Sequence, residues 1–176
     1  MKSSRKRLSA APPRPKLVPK KAAETPTPAR RSTLNLNTLA YLLLAAAVLL
    51  VVVVRVRLLS VPLERDEGEY ALMGQLILQG IPPYEMAYNM KLPGTYYAYA
   101  LLMAIFGQTT EGIRIGLLVA HLISIGLLFA IGRRMGGLLI GAVAAATYGL
   151  LCLIPAVLGL MAHATHFNVL FALAGW

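Results

Sequence analysis

Cysteine is nearly missing from this sequence, and beyond residue 33 charge of either sign is scarce. With Cys152 as the single cysteine, no internal disulfide and no paired-cysteine zinc motif can form. Its place in an apolar run reads as a packing residue. There is no glycine-rich phosphate loop and no serine set in a nucleophile elbow, which sets soluble nucleotide chemistry aside. Only 14% of the residues are charged while 57% are hydrophobic. One soluble core of this length cannot enclose that much apolar side chain, and the excess is expected to face lipid.

The charge that is present is concentrated at one end. The formal net charge is +10, and Lys2, Arg5, Lys6, Arg7, Arg14, Lys16, Lys20, Lys21, Arg30 and Arg31 all fall within residues 1–33, against one acid, Glu24. The same stretch holds Pro12, Pro13, Pro15, Pro19, Pro26 and Pro28 and almost no large apolar side chain. Such a segment cannot offset its ordering entropy and is expected to be a disordered tail. Its basic charge reads first as a topology signal holding the N-terminus in the cytoplasm, with adhesion to anionic headgroups as the second reading and nucleic acid set aside as a partner.

From Leu34 to Val54 no charge occurs; at 1.5 Å per residue that run is about 31 Å of helix, matching a hydrocarbon core of about 30 Å. It predicts a first transmembrane helix over 34–57. Residues 58–111 then form an external loop. Within it Asp66–Gln79 reads as an amphipathic helix whose apolar residues Leu72, Met73, Leu76 and Ile77 lie on the bilayer surface, ended by Gly80, Pro82 and Pro83. Thr95–Gly107 is apolar but short for a span, so it is read as a juxtamembrane helix along the surface. That choice leaves Arg133 and Arg134 inside and His163 and His166 outside. Gly112–Gly132 and Gly136–Ala162, the latter with a kinking Pro155, are read as further transmembrane helices over 112–176. The last apolar run, Phe167–Trp176, reads as a membrane segment cut short. The expected fold is thus all-α and polytopic, in the cell membrane.

The densest polar cluster outside the tail is Glu64-Arg65-Asp66-Glu67-Gly68-Glu69-Tyr70. The spacing Asp66 to Glu69 fits a capping box. The same cluster offers Asp66 as a general base at the mouth of a cavity. Lys91, in the turn Lys91-Leu92-Pro93-Gly94, either snorkels to headgroups or neutralises a phosphate leaving group. His163 and His166, at i and i+3, can share a helical face, but no third ligand is adjacent, and they read as interfacial histidines.

Four stretches together, Arg65-Asp66-Glu67-Gly68-Glu69-Tyr70-Ala71, Gly80-Ile81-Pro82-Pro83-Tyr84, Tyr88-Asn89-Met90-Lys91-Leu92-Pro93-Gly94 and Phe106-Gly107 with Gly112-Ile113-Arg114, placed after a first membrane helix, resemble the start of the GT-C membrane glycosyltransferases. These include the protein mannosyltransferases and the lipid A aminoarabinose transferases. The resemblance covers roughly residues 60–176 and implies an N-terminal fragment, inactive by itself, of an enzyme that moves a sugar from a polyprenyl-phosphate donor to an acceptor on the non-cytoplasmic side. It implies Asp66 and Glu67 at the catalytic centre, with Asp66 as base or metal-facing carboxylate, and Lys91 at the lipid phosphate, the sugar lying between Asp66 and Lys91. His163, His166 and Asn168 stand where family members often carry a further acid, on the active-site side. Here Met90 and Leu92 flank the lysine in place of the family's usual acid and proline. The implied partners are membrane lipids and the lipid-linked donor; whether a divalent metal takes part is open. A non-catalytic scaffold, and a lipid or solute transporter subunit, are the alternative readings.

Overall fold

A computed structural model of the chain describes residues 33–89 and 91–176. The basic tail expected over 1–33 lies, but for Thr33, outside the described residues. Among those described, every regular element is helical: α1 Thr33–Arg57, α2 Arg65–Leu78, α3 Gly94–Phe106, α4 Thr110–Gly136, α5 Leu138–Leu151 and α6 Ala164–Ala174, with one 3-10 turn at Pro155–Val157.

Two helices are long and apolar enough to cross a membrane, α1 over Leu36–Arg57 with a mean hydropathy of 2.7 and α4 over Thr110–Gly136 with 2.4. Most of α1 is not covered by the rest of the chain: Leu36, Leu39, Leu42, Leu49 and Val53 are exposed. A helix of this composition in a soluble core would be largely buried, so its outward face needs an apolar surrounding.

Local chemistry explains the ends. Thr109 caps α4, its hydroxyl accepting from the Gly112 N–H at 3.0 Å, with Glu111 in the first turn and Arg133 and Arg134 in the last, charges that suit the two ends of the macrodipole. Gly137, at φ 89°, stops the helix in a conformation that costs other residues strain. The α5 face that meets α1 and α4 is built of Gly141, Ala142, Ala145, Ala146 and Gly149. A Cβ on Gly141 would lie 2.7 Å from the Phe129 carbonyl oxygen, so the backbones approach as closely as small residues permit.

The structure departs from the sequence reading in three places. Gly136–Ala162 is not one kinked helix: α5 ends at Leu151, and residues 152–163 form an irregular segment around the Pro155 turn. Pro155 cannot continue the hydrogen-bond ladder, and the chain stops four residues before it rather than bending through it. The α2 cap is shifted by two residues, with Glu64 at the N-cap and Glu67 at N3 completing a reciprocal capping box. Glu69, the residue expected to close the box from Asp66, instead accepts from the Asn89 side-chain amide. Finally, the apolar stripe of α2 covers protein rather than bilayer. Met73 is buried with Tyr96, Tyr99 and Met103 of α3, Leu76 and Ile77 pack against the same cluster, and only Leu72 and Leu78 point outward. Gly74 makes that crossing possible, since a Cβ there would lie 2.5 Å from Met103 Cε and 2.9 Å from the Ala100 backbone nitrogen.

Candidate functional site

The first turn of α2 places two carboxylates on different sides of the helix, because successive residues are about 100° apart. Glu67 points inward and Asp66 outward. Glu67 is 1% exposed. Its Oε1 and Oε2 accept from Arg114 Nη1 and Nη2 at 2.7 and 2.9 Å, a bidentate pair. The backbone N–H of Glu64 donates to Oε2 at 2.9 Å, and that of Ala162 donates to Oε1. Both oxygens are therefore engaged inside the protein. Glu67, expected beside Asp66 at the catalytic centre, turns its side chain into the core.

Arg114 extends the same knot. Its Nη1 donates to the Leu160 carbonyl at 3.0 Å and its Nη2 to the Pro62 carbonyl at 3.3 Å, while the Tyr99 hydroxyl donates to the Ala162 carbonyl at 2.7 Å. The irregular segment 152–163 is thus held at Leu160 and Ala162 from α2, α3 and α4. The next residue is His163, at the N-cap of α6, and its Nε2 lies 3.9 Å from Asp66 Oδ2.

Asp66 is partly exposed, and Lys91 Nζ donates to its Oδ2 at 2.9 Å. Lys91 also donates to the Tyr70 hydroxyl. This lysine does not hang free toward headgroups; its backbone is fixed by three neighbours. Its N–H donates to Asn89 Oδ1 at 3.0 Å, and its carbonyl accepts from the hydroxyls of Tyr84 at 2.5 Å and Tyr96 at 3.5 Å. The electrostatics follow. The Tyr70 contact first, with the Asp66 carboxylate adding to it and burial opposing it, pushes the Lys91 ammonium up to about 12. The Lys91 hydrogen bond holds the Asp66 carboxyl below its ordinary value.

At 2.9 Å, Asp66 and Lys91 are in direct contact, and Lys91 also borders open space on its outer side. On that side an open cavity of about 620 Å³ is lined by Lys91, Leu92, Pro93, Gly94, Thr95, Ala164 and Asn168. The N-termini of α3 and α6 both border it, and neither carries a side-chain cap. Their free N–H groups favour an anion.

Of the residues singled out from sequence, Asp66, Lys91 and His163 come together, and Asn168 joins Lys91 at the cavity. His166 does not: it is buried, its Nε2 facing the Leu158 carbonyl at 3.3 Å and its ring 5.0 Å from that of His121. The two histidines three residues apart diverge and share no ion. Sequence reasoning missed Arg114 and Tyr70. Arg114 had one legible signal, as a lone cation near the start of an apolar helix that needs a buried acid.

A divalent metal at this site is a poor fit. Asp66 already faces Lys91 and Arg65, and Glu67 is saturated by Arg114. Asp66 and His163, beside an ammonium, are too few donors for a divalent cation. No protein family, no curated protein and no solved structure matches the chain.

Proposed function

We propose that this chain belongs to a polytopic membrane glycosyltransferase that moves a sugar from a polyprenyl-phosphate donor to an acceptor hydroxyl on the non-cytoplasmic side. The observation that carries the reading is the Lys91 ammonium, fixed by Asn89, Tyr84 and Tyr96 at the edge of a cavity bordered by two uncapped helix N-termini. That combination of a full positive charge and free backbone donors suits a phosphate.

In this mechanism the donor phosphate draws Lys91 Nζ from Asp66. While paired, Asp66 is a weak base because the ammonium holds its carboxyl low; once Lys91 turns to the phosphate, the carboxylate regains basicity where it is needed. The acceptor oxygen forms a bond to the anomeric carbon, the bond from that carbon to the phosphate oxygen breaks, and the acceptor proton passes to Asp66. The departing polyprenyl phosphate takes the bonding electron pair, and the negative charge it gains is offset by Lys91. His163, 3.9 Å from Asp66, stands where the proton can be passed on. Glu67 acts as a positioning residue: through Arg114 and Ala162 it sets where Asp66 and His163 stand.

The experiment is transfer of a radiolabelled sugar from a polyprenyl-phosphate donor by membranes carrying the chain in its full-length protein, with Lys91→Ala as the comparison. Loss of transfer with normal membrane insertion supports the reading; transfer at the unaltered rate refutes it.

A further inference from the structure

On the other side of the Arg114 knot, α4, the irregular segment and α6 bring together three side chains that the transfer chemistry does not use. One ring nitrogen of His121, one of His166 and the Sγ of Cys152 lie within 4.8 Å of one another, and all three residues are buried. Among the described residues this is the one group of three ligand-type side chains so placed. Ligands bound to one metal ion at about 2.0–2.3 Å are separated by about 3.5 Å, so the cluster needs only a small inward adjustment to close on an ion.

Two further features point to a ligand. His121 is 2% exposed; its Nδ1 faces Arg55 Nη2 at 3.0 Å, and its Nε2 is buried with no partner. A buried ring nitrogen without a partner is unfavourable, and a metal bond would give it one. His166 Nε2 is directed at the Leu158 carbonyl, which fixes the tautomer that leaves Nδ1 as a lone pair. That arrangement, one ring nitrogen on a backbone carbonyl and the other open, is the one metal-binding histidines adopt. Tyr148 stacks on the His121 ring, centroids 5.4 Å apart, so one of the ligands is oriented by a neighbouring ring.

We propose that His121, Cys152 and His166 bind a single soft monovalent metal ion, Cu(I). Charge selects it. Arg55 is 5% exposed, donates to the Gly159 carbonyl and has no carboxylate partner among the described residues. Binding of Cu(I) releases one proton, from the Cys152 thiol to solvent, and the thiolate then balances the ion, so the buried charge does not change. A divalent ion would add a second unpaired positive charge beside Arg55. Cu(I) also accepts three ligands, two imidazoles and a thiolate, whereas Zn(II) asks for a fourth. Ligation through His121 Nε2 moves the ring proton to Nδ1, and Arg55 gives up that contact while keeping Gly159. The site does not rest on the transferase reading, and its test reads no transfer activity.

The test is anaerobic titration of the purified chain in detergent with Cu(I) against a coloured Cu(I) chelator, together with X-ray absorption at the copper edge. One equivalent is expected, with one sulfur and two nitrogen neighbours. Cys152→Ser and His166→Ala should each weaken binding by more than the roughly 10–100-fold that loss of an outer-shell partner costs. Absence of a sulfur neighbour in the unaltered chain, affinity unchanged in Cys152→Ser, or uptake of Zn(II) in preference to Cu(I) overturns the proposal, and the absorption measurement decides even if a variant does not fold.

Discussion

Arg114 and Glu67 stand 47 positions apart in the chain and meet as a bidentate pair at 2.7 and 2.9 Å, both buried. Through this pair the first turn of α2, the start of α4 and the segment before α6 are set against each other. Removing one partner leaves a charge in the core, at a cost of about 3–5 kcal/mol. Arg114→Ala is therefore expected to lower the unfolding midpoint sharply in detergent denaturation, and the double variant Glu67→Leu with Arg114→Met to recover a large part of the loss. If Arg114→Ala unfolds with the unaltered chain, the knot does not hold these elements together.

The crossing of α2 and α3 depends on Gly74. Because its Cβ position is already filled by Met103 Cε and the Ala100 backbone, Gly74→Val forces the helices apart and carries Tyr70 away from Lys91. Overpacking of this kind costs about 1–3 kcal/mol. Thermal unfolding should show that loss, while Gly68→Ala, where a Cβ meets nothing within 4 Å, should leave stability unchanged or slightly raised.

The Asp66 and Lys91 pair has a defined pH window. Asp66 has its carboxyl depressed in the folded state, so its contribution is present above the ordinary carboxyl value of 3.8 and is lost as pH falls through the lower folded value. Lys91 is raised, so its contribution is complete below 10.5 and is lost as pH rises through about 12. Carbon-detected NMR titration of the Asp66 carboxyl should therefore move upward in Lys91→Ala. An unchanged midpoint would mean that the pair does not persist in solution.

The basic residues before α1 predict a cytoplasmic N-terminus. A cysteine introduced at Glu85 in a Cys152→Ser background should react with an impermeant reagent added outside, and one at Ser9 should not. Labelling of Ser9 alone would invert the arrangement.

The helices were largely legible because hydrophobic runs and the glycines and prolines that end them are local signals. α1 and α4 follow from their apolar length, and Gly80 with Pro82 and Pro83 ends α2 as read. What was not legible depends on partners far along the chain. Glu67 and Asp66 are adjacent and chemically alike in sequence, yet a rotation of about 100° per residue sends one to Arg114 and the other to Lys91. The α2 stripe has the same pattern whether it meets lipid or α3, and only Gly74 against Met103 decides. His121, Cys152 and His166 fall in three separate apolar stretches, where each alone reads as packing.

The measurement that tests the central claim most directly is the rate of sugar transfer from a polyprenyl-phosphate donor by Asp66→Asn in the full-length protein, with donor binding followed in parallel. General-base help is worth about 10²–10⁴ in rate, so a fall of that size is expected with donor binding nearly intact. Transfer by Asp66→Asn at the rate of the unaltered protein would contradict the account, leaving Asp66 and Lys91 as a surface ion pair.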